Sequence, residues 1–469
     1  MLDRSLNREG RHRGREPLGG NTAAPSTAEI VFTQQERIAT LAKQMPQQAI
    51  RSLNQYLDWK WLLEACNRTR KSGGVGVDGE TWDEYSCGLY QRLGSLVDRA
   101  HKGTYRAPPV RRAYIPKGMG SEKRPIGVPT FEDKVLQRAV VMLLEPIYEE
   151  VFHAGSYGFR PDRSAHQAMD ELRGWLNQRG GGWVLEVDIQ KFFDTLDHNQ
   201  LREFVQRRVR DGVVLRLIGK WLNAGVLEDG AVTHPELGTP QGGVISPLLA
   251  NIFLHYVLDE WFEQEAKPRL VGEAKLIRYA DDFVLAFTHQ SDAERVYAVL
   301  GQRFAKYGLT IHPEKTRLVR FVRPSSRQPE PETFEFLGFR LHWGQTRTGY
   351  WTVKTITSSS RMRRAIRKIA DWCRRHRHEP VPEQQATLTQ KVRGHYQYYG
   401  RSGNYYALSR FYEAVRRTWK FWLGRRSWKA PFTWDRFQRL LTRHPLPLPR
   451  ICVGVSPIVR TPASKSRMN

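Results

Sequence analysis

Two carboxylates stand side by side inside an apolar run, Leu276-Ile277-Arg278-Tyr279-Ala280-Asp281-Asp282-Phe283-Val284-Leu285-Ala286-Phe287. Its flanks are rich in Ile, Val, Phe and Tyr and read as two strands, which makes the Ala-Asp-Asp step the tight turn of a hairpin. Adjacent anions at such a turn repel each other and are costly to desolvate unless a cation accompanies them. A hard divalent ion such as Mg²⁺ takes oxygen ligands and removes that cost. A solvated Asp-Asp turn would look the same over four residues. A third carboxylate, Asp188, ends the alternating segment Trp183-Val184-Leu185-Glu186-Val187-Asp188-Ile189, with Lys191-Phe192-Phe193-Asp194 beyond. A carboxylate where a buried strand runs into a turn is a common metal-ligand position, although a lone one is more often a helix cap.

The elements around these residues can be read from pattern. Residues 1–30 mix Arg, Gly, Asn, Pro and Ser with little periodicity and read as a disordered tail. From Thr33 to Asn67 apolar residues recur at three- and four-residue spacing, as in helices. Gly73 to Gly79 is a glycine-rich turn without the Gly-Lys-Ser/Thr ending of a Walker loop, and a helix from Trp82 to His101 follows. Tyr105 to Pro129 reads as a hairpin with Lys117, Lys123 and Arg124 crowded at one end. Those cations serve either as a basic strand edge that resists aggregation or as a clamp on a triphosphate. Helices are expected over Phe131 to Phe152 and on to about Gln178, a hairpin over Val226 to Leu237, and a helix over Leu248 to Trp261. The loop Gly238-Thr239-Pro240-Gln241-Gly242-Gly243 lets backbone approach a ligand closely.

Composition narrows the partner. The chain of 469 residues holds 74 Lys+Arg against 48 Asp+Glu, a formal charge of +26, which points to an extended polyanion and by default to nucleic acid. The 14 Trp, 18 Tyr and 20 Phe suit base stacking or a large core. Four scattered cysteines contain no Cys-x-x-Cys pair, which excludes a zinc knuckle and fits a reduced, cytoplasmic protein. No apolar run follows the N-terminal charges, and the longest uncharged stretch, Gly242 to Leu258, contains Ser246, Pro247, Asn251 and His255, so neither a signal peptide nor a membrane span is expected. In the C-terminal third, Arg361, Arg363, Arg364, Arg367, Lys368, Arg374, Arg375 and Arg377 share one helical stretch with a single acid, Asp371. From Lys391 to Lys429 there are 10 Lys+Arg and 11 aromatic residues against one acid, Glu413. Interleaved cations and rings suit RNA, and equally a helical bundle with an aromatic core and a solvated basic face. Arg363, Arg364, Arg367, Lys368, Arg393, Arg416, Arg417, Arg425 and Arg426 are the candidate RNA contacts.

Five segments in register complete the reading: Arg124-Pro125-Ile126-Gly127-Val128-Pro129-Thr130, Ser156-Tyr157-Gly158-Phe159-Arg160-Pro161, Asp188 to His198, Gly238 to Asn251, and Tyr279 to Asp282. In order and spacing the chain resembles the reverse transcriptases encoded by bacterial group II introns over about Thr33 to Arg340. The part beyond resembles their thumb and maturase domain, through Tyr398-Tyr399-Gly400, Trp419, Arg425-Arg426-Ser427 and the segment Pro445 to Ile451. The resemblance implies an α+β, right-hand polymerase fold, with fingers and an antiparallel palm sheet, plus an α-helical thumb. It divides the chain into a tail (1–30), an N-terminal extension with fingers and palm (31–340), a thumb/maturase domain (341–455) and a short tail (456–469).

By the same resemblance Asp188, Asp281 and Asp282 are the catalytic carboxylates and hold two Mg²⁺ ions, with Ile189 adding a backbone carbonyl. Because side chains at successive extended positions point apart, Asp188 and Asp281 are better direct ligands than Asp282. Lys117 and Arg124 would bind the incoming triphosphate, Gln241 would pack on the nascent base pair, Phe193 would stand against the sugar 2′ position, and Lys315 would act near the leaving group. Phe193, beside Phe192, is equally placed for core packing. The implied partners are group II intron RNA, an RNA template with a DNA primer, target DNA and deoxynucleoside triphosphates. Location would be cytoplasmic, with the nucleoid when engaged on DNA; dimerisation is left open. Eighteen residues follow Ile451, so the DNA-binding segment and Cys/His endonuclease of many relatives are not expected, and priming from available 3′ ends is. The other functions open to the sequence are an RNA-binding splicing factor with a relic polymerase site and a stand-alone reverse transcriptase of a defence system.

Overall fold

The computed structural model describes residues 26–116, 123–228, 231–233, 238, 242–325, 332–426 and 432–453. Its N-terminal layer is helical. Thr27–Gln44 begins at a capping box, in which Ser26 Oγ accepts from the Glu29 amide (3.3 Å) and the Glu29 carboxylate accepts from the Ser26 amide (2.7 Å). That box starts a helix inside the stretch expected to be disordered, so order begins at least four residues before position 30. Trp59–Asn67 packs its Trp61 into the core, with the indole N–H on the Ala139 carbonyl (2.9 Å). The single helix expected from Trp82 to His101 is two, Trp82–Ser86 and Leu89–Lys102, because Gly88 between them takes φ 74° and ends the first. Thr27–Gln44, Trp59–Asn67 and Trp82–Ser86 pack on the mostly buried helix Phe131–Glu149, while Leu89–Lys102 packs on Trp59–Asn67.

Among the described residues, eleven strands follow chain order: β1 (Val110–Pro116), β2 (Lys123–Val128), β3 (Gly181–Val187), β4 (Val226–Glu228), β5 (Ala231–Thr233), β6 (Ala274–Tyr279), β7 (Asp282–Phe287), β8 (Arg317–Val322), β9 (Phe334–Phe336), β10 (Phe339–Gln345) and β11 (Trp351–Thr357). They form three sheets in a mixed α and β architecture whose pairings are antiparallel, apart from β1 beside β4. The basic hairpin is β1–β2, in register Ile115↔Arg124, and β4–β5 extends it. The central sheet runs β6-β7-β3-β8.

The central sheet is buried on both faces, and period-2 alternation sorts its residues between two cores. Leu185, Val187, Leu276, Phe283, Leu285 and Phe287 face the large core with helix Gln290–Ala305. Val184, Ile277, Val284, Ala286, Val319 and Phe321 face a second core with helix Ala165–Arg179 and the third sheet, β9-β10-β11. This third sheet straddles position 340. The helix expected from Leu248 starts at Ser246 and passes into π-helical turns at His255.

The last helices, Ser359–Arg375, Val381–Tyr399, Tyr405–Gly424 and Trp434–Arg443, close a third core around Trp372, Leu388, Tyr396, Phe411, Trp419 and Phe437. Polar contacts tie it to helix Ala165–Arg179, through Arg401 with Asp170, and to the third sheet, through the Tyr398 hydroxyl on the Leu337 carbonyl (2.8 Å) and the Thr357 amide on Asn404 Oδ1 (2.9 Å). Among the described residues no helix is long and apolar enough to cross a membrane.

Trp419 is fully buried, and its indole N–H donates to Gln384 Oε1 (2.9 Å), whose amide nitrogen in turn donates to the carbonyls of His376, Arg377 and Glu379. Trp419→Ala should therefore cost about 3–5 kcal/mol, by cavity formation and an orphaned amide. Urea unfolding should show the loss in the C-terminal helices, read by a probe placed there, before the central sheet unfolds.

Candidate active site

The Ala280–Asp281 step is a two-residue turn, closed by the pair Tyr279↔Asp282 as β6 passes into β7. Ala280 takes φ 58°, a left-handed conformation that a residue with a Cβ adopts only when its surroundings impose it. The surroundings are a buried polar clamp. Arg278, fully buried, places Nε and Nη2 on the two carboxylate oxygens of Asp259 (2.8 and 2.5 Å). Its Nη1 donates to Asn251 Oδ1 (2.9 Å) and to the Ala280 carbonyl (3.2 Å). Asn251 passes the restraint on through its amide nitrogen to the Gly158 carbonyl (2.6 Å). The backbone of Arg278 is bound on both sides, amide to Gly155 O and carbonyl from Tyr157 N (both 2.8 Å). A Cβ on Gly158 would lie 2.3 Å from the Ala280 nitrogen, so glycine is required for that approach. His255, pushed down to about 4 by burial, stays neutral and leaves Asp259 to Arg278.

Asp188 reaches the same place from the end of β3. The β3–β7 register ends at Val187↔Phe283, and one further step sets Asp188 across from Asp282. The Asp188 carbonyl accepts from the His312 amide, and the Gln190 amide donates to Thr310 O (both 2.8 Å), flanking the bridge Ile189↔Ile311. In an antiparallel ladder the polar groups of a residue so flanked point away from that partner. The Ile189 carbonyl is thereby turned to the β7 side, where Asp281 and Asp282 lie. Lys315 Nζ stands 3.5 Å from Asp188 Oδ2.

The three carboxylates act on one another. Asp282 faces the cleft at its solvent-open edge; withdrawal from bulk water, then the Asp281 and Asp188 anions, push it up to about 6. Asp281 is raised mainly by burial and also by Asp188, against the pull of its own amide and of Arg124. Such mutual repulsion fits oxygen ligands awaiting a hard cation. Among the described residues no three Asp, Glu, His or Cys side chains close on a single point. The donor set is thus incomplete without backbone and substrate oxygens, the manner in which Mg²⁺ is commonly held.

The other expected residues divide. Arg124, the second residue of β2 and paired with Ile115 of β1, exerts its charge on Asp281 and Asp282. Phe193 is half-buried against Phe192 (centroids 5.3 Å apart). Gly238 lies against the backbone of Phe193 and Asp194, and Gly242 against Gly127 of β2. Lys117 and Gln241 lie outside the described residues. Of the nine candidate RNA contacts, Arg363, Arg367, Lys368, Arg393, Arg417 and Arg425 are exposed. Arg364 is half-buried, Arg416 pairs with Glu413 (2.8 Å), and Arg426 is turned onto the carbonyls of Arg377 and Glu379. Arg416 and Arg426 thus brace the helices.

Sequence reasoning missed two groups. Asp259 and Arg278 are separated by a loop and read singly as ordinary charges. Arg361, counted only within the basic stretch, exerts its charge on Asp282 from the first turn of Ser359–Arg375. A signal was available in Asn251 and His255, polar residues inside an uncharged run. Left-handed backbone recurs beside the turn at Phe159, whose ring lies 6.4 Å from that of Tyr279.

Comparison with known proteins agrees with the geometry. Residues 115–341 match the family model of the reverse transcriptase (RNA-dependent DNA polymerase). Protein YkfC of Escherichia coli is 37% identical over 288 residues, 55% of this chain and 75% of YkfC. The chain belongs to the group II intron reverse transcriptase/maturase family. Among its relatives, the group II intron-encoded protein LtrA of Lactococcus lactis is 40% identical over 205 residues, 42% of this chain but 33% of LtrA. Nuclear intron maturase 2, mitochondrial, of Arabidopsis thaliana is 30% identical over 233 residues, 41% of this chain and 30% of that protein. The matched parts thus span most of YkfC and about a third of the other two.

Two outcomes follow for this reverse transcriptase-family site. Arg278→Ala strands a buried Asp259 and should cost about 3–5 kcal/mol, whereas Arg278→Met with Asp259→Leu should recover most of it; urea denaturation measures both. Asp282, raised above its unfolded value, destabilises the fold when ionised. In metal-free buffer Asp282→Asn should therefore melt higher than wild type above pH 6, the gap closing as pH falls and vanishing near 4.

Proposed function

We propose that the protein is an RNA-directed DNA polymerase that binds its group II intron RNA, assists splicing and copies the intron into DNA. The observation that carries this reading is the convergence of Asp188, Asp281 and Asp282 at neighbouring strand ends, with the Ile189 carbonyl turned toward them and Arg124 acting on them. In this reading the central sheet is the palm, the β1–β2 hairpin the fingers, and the helices from Ser359 onward the thumb and maturase part.

Asp188, Asp281, Asp282 and the Ile189 carbonyl would hold two Mg²⁺ ions, which when bound lower the pKa of a primer 3′-hydroxyl and neutralise charge on the transferred and leaving phosphates. The chain's own part is positioning. The Arg278 clamp fixes where the carboxylates point, Arg124 (with Lys117) meets the triphosphate of a deoxynucleotide, and Gln241 packs on the nascent pair. Phe193 restricts space at the sugar 2′ position, and Lys315 relieves Asp188 of unpaired charge when the site is open. Template RNA with a DNA primer would lie along the cleft, and intron RNA across the exposed cations of the thumb.

A splicing factor without polymerase activity is the competing reading. The carboxylate set tells against it, because three repelling anions cost stability when no cation ever joins them. Primer extension on an RNA template with deoxynucleotides and Mg²⁺ decides between the two. Wild type should extend, and Asp281→Asn with Asp282→Asn should not, while both bind intron RNA with equal affinity that falls steeply with salt. Wild-type splicing without any extension would replace this reading by the splicing factor.

A further inference from the structure

A groove of about 1150 Å³ lies between the linker 103–109, helices His198–Gln206 and Gly212–Leu222, and Val232 of β5. None of the residues placed in the catalytic cleft lines it. Among the described lining residues are four cations, Arg106, Arg202, Arg216 and Lys220, and no carboxylate. Lys220 Nζ donates to the carbonyls of Gly103 (2.6 Å) and Tyr105, and Arg216 reaches His101 O (3.4 Å). These are neutral acceptors; among the described residues none of the four cations has an anionic partner.

Ala107, Pro109, Val205, Leu215 and Ile218 give the groove apolar walls. Like charges gathered in a concavity with low-dielectric walls focus a positive potential and raise the local concentration of anions. The lining contains one aromatic ring, Tyr105, and that ring is buried with its hydroxyl committed to Asp133 (2.5 Å). Base stacking, the usual grip on splayed single strands, is therefore absent, and recognition falls to the backbone. Thr104 and Gln206 add neutral donors and acceptors of the kind that meet a ribose 2′-hydroxyl.

We propose that this groove is a second nucleic-acid site, which takes the phosphodiester backbone of an RNA segment lying beyond the catalytic cleft. Three guanidiniums on phosphates anchor the segment without reading its sequence. Long structured RNA would then be held at two places, and a short primer–template at one. The assignment does not depend on polymerase activity.

The test compares wild type with Arg106→Gln/Arg202→Gln/Arg216→Gln by fluorescence anisotropy without Mg²⁺ or deoxynucleotides. Lys220 is retained because it supports the linker. On a long structured RNA the variant should bind roughly tenfold more weakly near 0.1 M salt, with the slope of log K against log salt reduced by about two. On a primer–template short enough to fill only the cleft, affinity should be unchanged. An unchanged slope on long RNA overturns the proposal. So does an equal loss on the short duplex, which would assign these arginines to the cleft, and an equal loss on single-stranded DNA of matching length, which would remove the assignment to RNA. If the triple variant melts lower than wild type, Arg106→Gln alone, at an exposed linker position, should still lower the slope by about one unit.

Discussion

Everything at the carboxylate turn depends on one buried ion pair, Arg278 with Asp259. Neither group could be buried alone, because an isolated ion in the interior costs several kcal/mol. Together they make a rigid anchor, and the remaining guanidinium N–H capacity reaches Asn251 and the Ala280 carbonyl. An all-apolar core could fill that space with similar stability but would leave the turn free to relax. Ala280 would then leave φ 58°, and the two adjacent carboxylates would swing with it. The charge pair is better understood as setting the geometry than as adding stability.

That constraint explains why the surrounding chain looks as it does. Gly155 and Gly158 have no room for a Cβ beside β6, so the Ser156–Pro161 loop is moulded to the strand that carries Arg278. Arg160 is itself buried, with its guanidinium on Glu149 and on the carbonyls of His153 and Ser156 (2.8 Å each). The hairpin turn, this loop and the π-helical turns that carry Asp259 thus form one polar network beneath the site. Above it, carboxylates that repel each other remain at the open edge. Stability is concentrated under the turn and withheld at its surface.

The sequence made the carboxylates, the strands that carry them and the basic hairpin legible, because period-2 apolar runs broken by acidic turns follow from local chemistry. Legibility failed where the decisive contact is long-range. Nothing in Asp259, set in an apolar helix, says that its partner lies nineteen residues on in a strand. The break at Gly88 and the early start at Ser26 were missed because a cap is decided by one residue's backbone angle or hydroxyl, and periodicity averages over such points. Among the basic residues, charge alone did not separate those that display their guanidinium from those, such as Arg416 and Arg426, that spend it on carbonyls or a neighbouring acid.

The last distinction bears on how a net charge of +26 should be read. Counting Lys and Arg overstates the surface available to a polyanion, since a guanidinium held by backbone carbonyls keeps its charge but loses the donors that would meet a phosphate. On Ser359–Arg375 the exposed Arg363, Arg367 and Arg374 lie on the face opposite Ile369, Trp372 and Cys373, which are buried in the C-terminal core. Arg361 differs from its neighbours in acting on Asp282. One helix therefore offers cations to solvent along most of its length and brings one to the carboxylate cleft at its N-terminal end. A nucleic acid drawn to that helix by long-range attraction would meet the carboxylates at its first turn.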